Sequence, residues 1–179
     1  MIETTAKEQL INMLKVSNQR VLDWFTAISV GGFFIRYGGG WSASENVDHL
    51  IRAHTPIAKA LKLPKITLRV LFGKPDRASR PYEKLCTAYR DEIARGAQAS
   101  GRYLPSQENL NSGTEKRKKE LLDQFRKASI ELVSVAEKWD DKELDDYLLL
   151  HPILGKLTIR EMLFFTIYHN LRHASQEGD

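Results

Sequence analysis

His169 and His173 stand four residues apart in the stretch TIREMLFFTIYHNLRHASQ, which begins at Thr158. Residues at that spacing share one face of a helix, so both imidazoles can point at one place. Neutral imidazole is a ligand suited to zinc, nickel, iron and related divalent ions. Three such ligands with a coordination position left open make a catalytic arrangement, whereas two alone make a weak site. The third ligand has to come from another part of the chain, where His49, His54 and His151 are available. His49 is the candidate, on the condition that the second and last long helices are neighbours at matching depth. His54 competes with it, but lies about 140° around an ideal helix from His49, so the two do not aim at one ion without distortion. Hydrogen bonding or packing near the surface is the expected use of His54. His151 precedes Pro152 in a loop and can face a pocket, but spacing does not place it.

The last helix has an inward register through Ile159, Met162, Thr166, His169 and His173, which turns the histidine pair toward the interior. A buried polar ring without a partner costs free energy. A shared cation satisfies both rings at once, and a hydrogen bond to a neighbouring helix is the other way out. No Ser-His-Asp or Cys-His arrangement can be assembled. Cys86 is the single cysteine, which excludes an intrachain disulfide and a Cys-rich zinc site. It follows Leu85 in an apolar helical setting and is expected to be buried rather than nucleophilic.

Four long amphipathic segments are available to position these groups. The first, residues 4–28, carries Leu10, Leu14, Ser17, Val21, Trp24 and Ile28 in alternating four- and three-residue steps, widened by Met13 and Phe25. Gly31-Gly32 and Gly38-Gly39-Gly40 then mark a turn around Phe33, Phe34 and Tyr37, an aromatic group expected to pack or to roof a pocket. The second segment, residues 43–62, is capped by Ser42 or Ser44, Ser42 with Glu45 fitting a capping box, and Pro56 is expected to kink it. The third, residues 115–139, starts from Ser112 or Thr114 and carries Leu121, Phe125, Ala128, Leu132, Val135 and Trp139. Its KRKK run, Lys116 to Lys119, reads as a solvated helix surface. The fourth, residues 158–176, opens on Thr158 and Glu161, a second capping box.

Between the second and third lies an elaborated crossover. ITLRVLF within it has strand propensity but no partner strand, so a short helix or irregular cover is expected. A helical segment follows from Tyr82 to about Ala97, and RYLPSQENLNSG reads as connection. Residues 142–150 are ambiguous, and HPILGKL is expected to form a turn with Pro152 and Gly155. The fold class is therefore all-α, a four-helix bundle, in a single domain over residues 1–179.

The formal charge of +4, from 27 basic and 23 acidic residues, gives no ground for a nucleic-acid partner. Such a surface would need Arg69, Lys74, Arg77 and Arg80 to merge with Lys116 to Lys119. There is no secretory-signal pattern at MIETTAKEQL and no apolar run of about 18 residues that would span a membrane. A soluble, cytoplasmic protein is expected.

Several motifs agree with one known family. They are Trp41-Ser42-Ala43-Ser44-Glu45 followed by His49-Leu50; His151-Pro152; Gly155-Lys156-Leu157-Thr158; Arg160-Glu161-Met162; and the closing His169, His173 and Gln176. In these, and in Tyr89 through Pro105, the chain resembles the DinB-like superfamily of metal-binding four-helix bundles. The resemblance implies that His49, His169 and His173 match the family's three histidine ligands. It implies a divalent cofactor, zinc or nickel first and manganese also. It further implies a homodimer, and an enzyme acting on a small-molecule substrate as a hydrolase or a thiol-cofactor-dependent transferase, with a low-molecular-weight thiol as partner. A noncatalytic metal-binding protein, a sensor or scaffold, is the alternative. Glu45 is one turn before His49 and can either orient that ring or serve only the cap. Gln176 is one turn beyond His173 and can reach the same face. Trp41 and Tyr168 are expected to pack, or to line the pocket.

Overall fold

The computed structural model describes residues 6–106 and 113–175. Long helices α1 (Lys7–Ala27), α3 (Ala43–Leu61), α6 (Glu115–Ala136) and α8 (Ile159–His173) form the bundle. Short elements α2 (Val30–Phe33), α4 (Lys65–Phe72), α5 (Tyr82–Ala94) and α7 (Glu143–Asp146) join them, with a hairpin of β1 (Leu148–His151) and β2 (Gly155–Thr158). Helix α3 lies mainly against α6 and also meets α8, while α1 lies against both α8 and α6. The all-α bundle with an elaborated crossover is thus the observed architecture.

The apolar stripes do what their spacing requires. Leu10, Leu14, Val21 and Phe25 of α1 are buried, as are Val47, Leu50 and Leu61 of α3 and Leu121, Phe125 and Leu132 of α6. Enclosing one such side chain contributes about 1.5–3 kcal/mol. Both capping boxes are present: Ser42 Oγ accepts from Glu45 N at 3.2 Å and Glu45 accepts from Ser42 N at 2.9 Å. Thr158 and Glu161 repeat the exchange at the start of α8. Helix α3 continues through Pro56 to Leu61. The indole of Trp139, just beyond α6, donates to the Leu61 carbonyl at 3.2 Å and covers that helix end.

The apolar interior falls into two clusters, and the boundary between them is polar. Along α1 it passes between Leu14 and Val21, along α3 between Leu50 and Ile57, along α6 between Phe125 and Leu132, and along α8 between Ile167 and Ala174. Ser17 and Asn18, His54, Ser129 and Asn170 occupy those positions, all buried. Asn170 Nδ2 donates to Asn18 Oδ1 at 2.8 Å and to Ser17 Oγ at 3.1 Å. His54 Nε2 donates to Asn170 Oδ1 at 3.0 Å, and Ser129 Oγ donates to His54 Nδ1 at 3.4 Å. One residue or pair from each long helix therefore enters a single chain of hydrogen bonds.

The crossover is tied to α8 by charge. Glu161, already in its capping box, also accepts from Arg77 at 2.5 Å and from the Arg80 side chain at 2.9 Å. Burial alone would raise its pKa, but the hydrogen bonds from Arg77 and Arg80 outweigh burial and bring it down to about 2.

Several expectations need correction. HPILGKL is more than a turn: His151 ends one strand and Gly155 opens the other, with Leu148 opposite Thr158 and Leu150 opposite Lys156. Strands of four residues are too short to show alternation, and Gly155 supplies the positive φ of +70° that closes them. ITLRVLF, by contrast, is helical within α4, as expected. Helix α6 ends at Ala136 rather than at residue 139, and α5 ends at Ala94. Within the KRKK run, Lys118 is buried, and its ammonium donates to the carbonyls of Thr26, at 2.9 Å, and Ile28 at the end of α1. Phe33 and Phe34 pack in the core, which is the first of their two expected uses. The expected starts at Thr4 and Ser112 lie outside the described residues.

Candidate metal centre

Helix α3 carries His49 and α8 carries His169 and His173, and the packing of the two helices brings all three rings together. His169 Nε2 is 3.0 Å from His49 Nε2 and 3.2 Å from His173 Nε2. The ligand atoms of the three lie within 4.8 Å of one another. Four tetrahedral ligands at the usual zinc–nitrogen distance would be spaced by about 3.3 Å.

The outer ring nitrogens decide what the inner ones can do. His49 Nδ1 is 2.7 Å from the Tyr103 carbonyl oxygen, which only accepts, so this nitrogen carries the hydrogen. His173 Nδ1 is 2.6 Å from Asn46 Oδ1. The Asn46 amide cannot turn over without loss, because its Nδ2 donates to the carbonyls of Ser42 at 2.9 Å and Trp41 at 3.2 Å. His173 Nδ1 is therefore a donor too. Two Nε2 lone pairs consequently face His169 Nε2, which can donate to only one of them. His169 Nδ1 is buried and has no hydrogen-bond partner among the described residues. A cation between the three Nε2 atoms satisfies every lone pair directed there, so the donor set fits a divalent metal ion.

The electrostatics keep the rings neutral, as ligands must be. Burial pushes the His173 pKa down to about 3, with His49 and Arg172 adding repulsion. Burial lowers His49, partly opposed by its bond to Tyr103. His169 is held well below its ordinary value by burial and then by its histidine neighbours.

Two hollows meet at this cluster. The first, of about 250 Å³, is lined mainly by alkyl and aromatic side chains and reaches His49 and His169. The second, of about 710 Å³, is more polar; Asn46, Gln98, Arg172 and Trp41 line it, and it reaches His49 and His173. The Trp41 ring lies parallel to His173, 11° apart at 6.4 Å, and tilts over His49 at 4.9 Å.

A family model of the DinB superfamily matches residues 13–176. The chain belongs to the DinB superfamily. Comparison with curated proteins and with solved structures gave no match. In this DinB superfamily member the cluster capable of holding a metal, among the described residues, is the one that the sequence motifs indicate, His49, His169 and His173. His54 is excluded from it, and is fully buried rather than near the surface. His151 faces the apolar hollow without joining the cluster. Glu45 serves its cap and pairs with Arg36, and it does not orient His49. Gln176 lies outside the described residues. Tyr168 packs against the core, and Cys86 is buried with its pKa raised by that burial.

Asn46 and the Tyr103 carbonyl are the site groups that sequence reasoning missed. Asn46 lies three residues before His49, on a neighbouring part of the same helical face, so its polar side chain was a usable signal. A backbone carbonyl 54 residues from its partner leaves none.

Proposed function

We propose that His49, His169 and His173 hold one divalent metal ion, zinc or nickel before manganese, and that the chain is a metal-dependent enzyme acting on a small molecule. The observation that supports this most is the position of the cluster between two unlike hollows. His49 lines both, His169 the apolar one and His173 the polar one. A structural ion tying helices together has no need of access from either side. Bound there, a divalent ion supplies Lewis acidity and lowers the pKa of a water or thiol. Tyr103 and Asn46 fix the ring tautomers, the apolar hollow excludes water, and the polar hollow admits the second reactant. Water makes the reaction a hydrolysis, and a low-molecular-weight thiol makes it a transfer.

On this proposal residues 1–179 are one domain working in the cytoplasm, a setting compatible with a lone buried cysteine. No helix among the described residues is long and apolar enough to cross a membrane. The protein is, on the same proposal, a homodimer, which the exposed Ile66, Val70 and Leu71 on α4 support; sedimentation would read the pairing directly.

Metal content is the first test. Protein purified without chelator should carry close to one zinc or nickel per chain, and His49→Ala/His169→Ala should carry almost none. Equal occupancy in the two would end the proposal. Metal-dependent turnover in panels of apolar esters and of thiol-transfer substrates tests the enzyme reading, and a metal-loaded protein inert in both favours the sensor or scaffold.

A further inference from the structure

His151 is buried beside the metal cluster, yet the cluster makes no use of it. Its Nδ1 is occupied by the hairpin, accepting from the backbone N–H of Ile153 at 3.1 Å and of Leu154 at 3.0 Å. A ring nitrogen that accepts two N–H groups carries no hydrogen, so in the neutral ring the hydrogen is on Nε2. Burial alone drives the ring's pKa down to about 4, so it is neutral at ordinary pH. His151 lines the apolar hollow, and with Nδ1 committed to the turn, Nε2 is the polar atom it has left to offer there. The ring packs against Phe165 at 4.2 Å, and Phe165 stacks on His169 at 5.0 Å. One aromatic ring therefore separates this donor from the cluster.

The hollow exists because α3 turns small side chains toward it. Ala53 and Ala60, two turns apart on one face, line it together with Met162 and Phe165 of α8, Phe72 and Ile153. The volume of about 250 Å³ suits a small organic molecule. Charge is scarce in it: Arg102 at the rim is exposed and lies over the Tyr103 ring. An ion buried there would go unpaired at high cost.

We propose that this hollow binds a neutral, largely apolar small molecule bearing a carbonyl oxygen, which accepts a hydrogen bond from His151 Nε2 while another part of the molecule lies against the histidine cluster. This names the substrate class for the metal-enzyme reading and rests on it for the reaction, but not for the binding. A fixed donor in apolar surroundings discriminates, because a ligand without an acceptor leaves it unsatisfied.

The test uses 1-phenylpentan-1-one and pentylbenzene as probes, titrated into the full chain both stripped of metal and zinc-loaded. The ketone should bind about 3- to 10-fold more tightly than the hydrocarbon in both forms. In His151→Asn the side-chain oxygen can still accept from the turn, as in an Asx-turn, but its amide nitrogen takes the place of the ring Cδ2 and falls short of the Nε2 position, so the two probes should bind alike. Ala53→Leu fills the hollow and should weaken both probes about 10-fold or more. Equal binding of the probes by the unaltered chain, or an undiminished ketone preference in His151→Asn, would overturn the role of the histidine. Unchanged binding in Ala53→Leu would overturn the location. Should His151→Asn fail to fold, the two-probe comparison and Ala53→Leu still decide the matter. Zinc content is measured separately, so a stripped chain that prefers the ketone but never takes up metal would sink the metal reading and leave this one standing.

Discussion

The bundle buries histidines in two settings only one position apart along α8, at His169 and Asn170. At Asn170 the ring is His54, fully enclosed, with Nε2 donating to Asn170 and Nδ1 accepting from Ser129. That ring is satisfied by protein alone, and its network joins all four long helices. At His169 the ring is equally buried, but its Nδ1 has no hydrogen-bond partner among the described residues and its Nε2 faces two lone pairs. Burial is common to both, so burial does not distinguish a structural histidine from a ligand. The difference lies in whether the donors and acceptors around the ring balance without a cation.

Substitution at the two sites should therefore separate metal binding from folding. His169→Ala should lower zinc affinity by more than the about 10- to 100-fold typical of losing an outer partner, read by competition with a chromophoric chelator. Excess zinc should raise the melting temperature of the unaltered chain, by an amount equivalent to about 2.7 kcal/mol at 100 times Kd, and leave that of His169→Ala unmoved.

Asn46→Ala keeps the three rings but frees the His173 tautomer. Affinity for zinc should fall by about 10- to 100-fold with stoichiometry preserved. An unchanged affinity would remove the amide from the site.

His54→Leu strands the Asn170 oxygen in the core and should cost about 1–3 kcal/mol in denaturant unfolding while zinc uptake stays near one per chain. The pH dependence has a definite sign. The folded pKa of His54, about 4, lies below the ordinary 6.5, so the unfolded chain binds the proton more readily. Its contribution is whole above pH 6.5 and is lost as pH falls through about 4. His54→Leu should flatten the acid limb of the stability curve in that window.

Glu45→Ala should have the smallest effect. Loss of the Glu45 half of the capping box, with Ser42 still capping, costs about 0.5–1.5 kcal/mol, seen as a lower melting temperature. Zinc affinity should remain within about 2-fold, since the outer partner of His49 is the Tyr103 carbonyl and not Glu45. A larger drop would reopen the role of that carboxylate.

The alternating apolar steps on α1, α3, α6 and α8, the two capping boxes and the His169–His173 spacing are local properties, written in residues within one or two turns of each other. The sequence alone therefore determined the long helices, their buried faces and the DinB-like arrangement that its motifs indicate. The meeting of His49 with the other two, the choice of Asn46 and Tyr103 as their outer partners, the burial of Lys118 and the hydrogen-bonded enclosure of His54 were decided by the tertiary structure. Each depends on the depth and rotation at which separate helices pack, and a helical pattern fixes which face is buried without fixing what that face will meet.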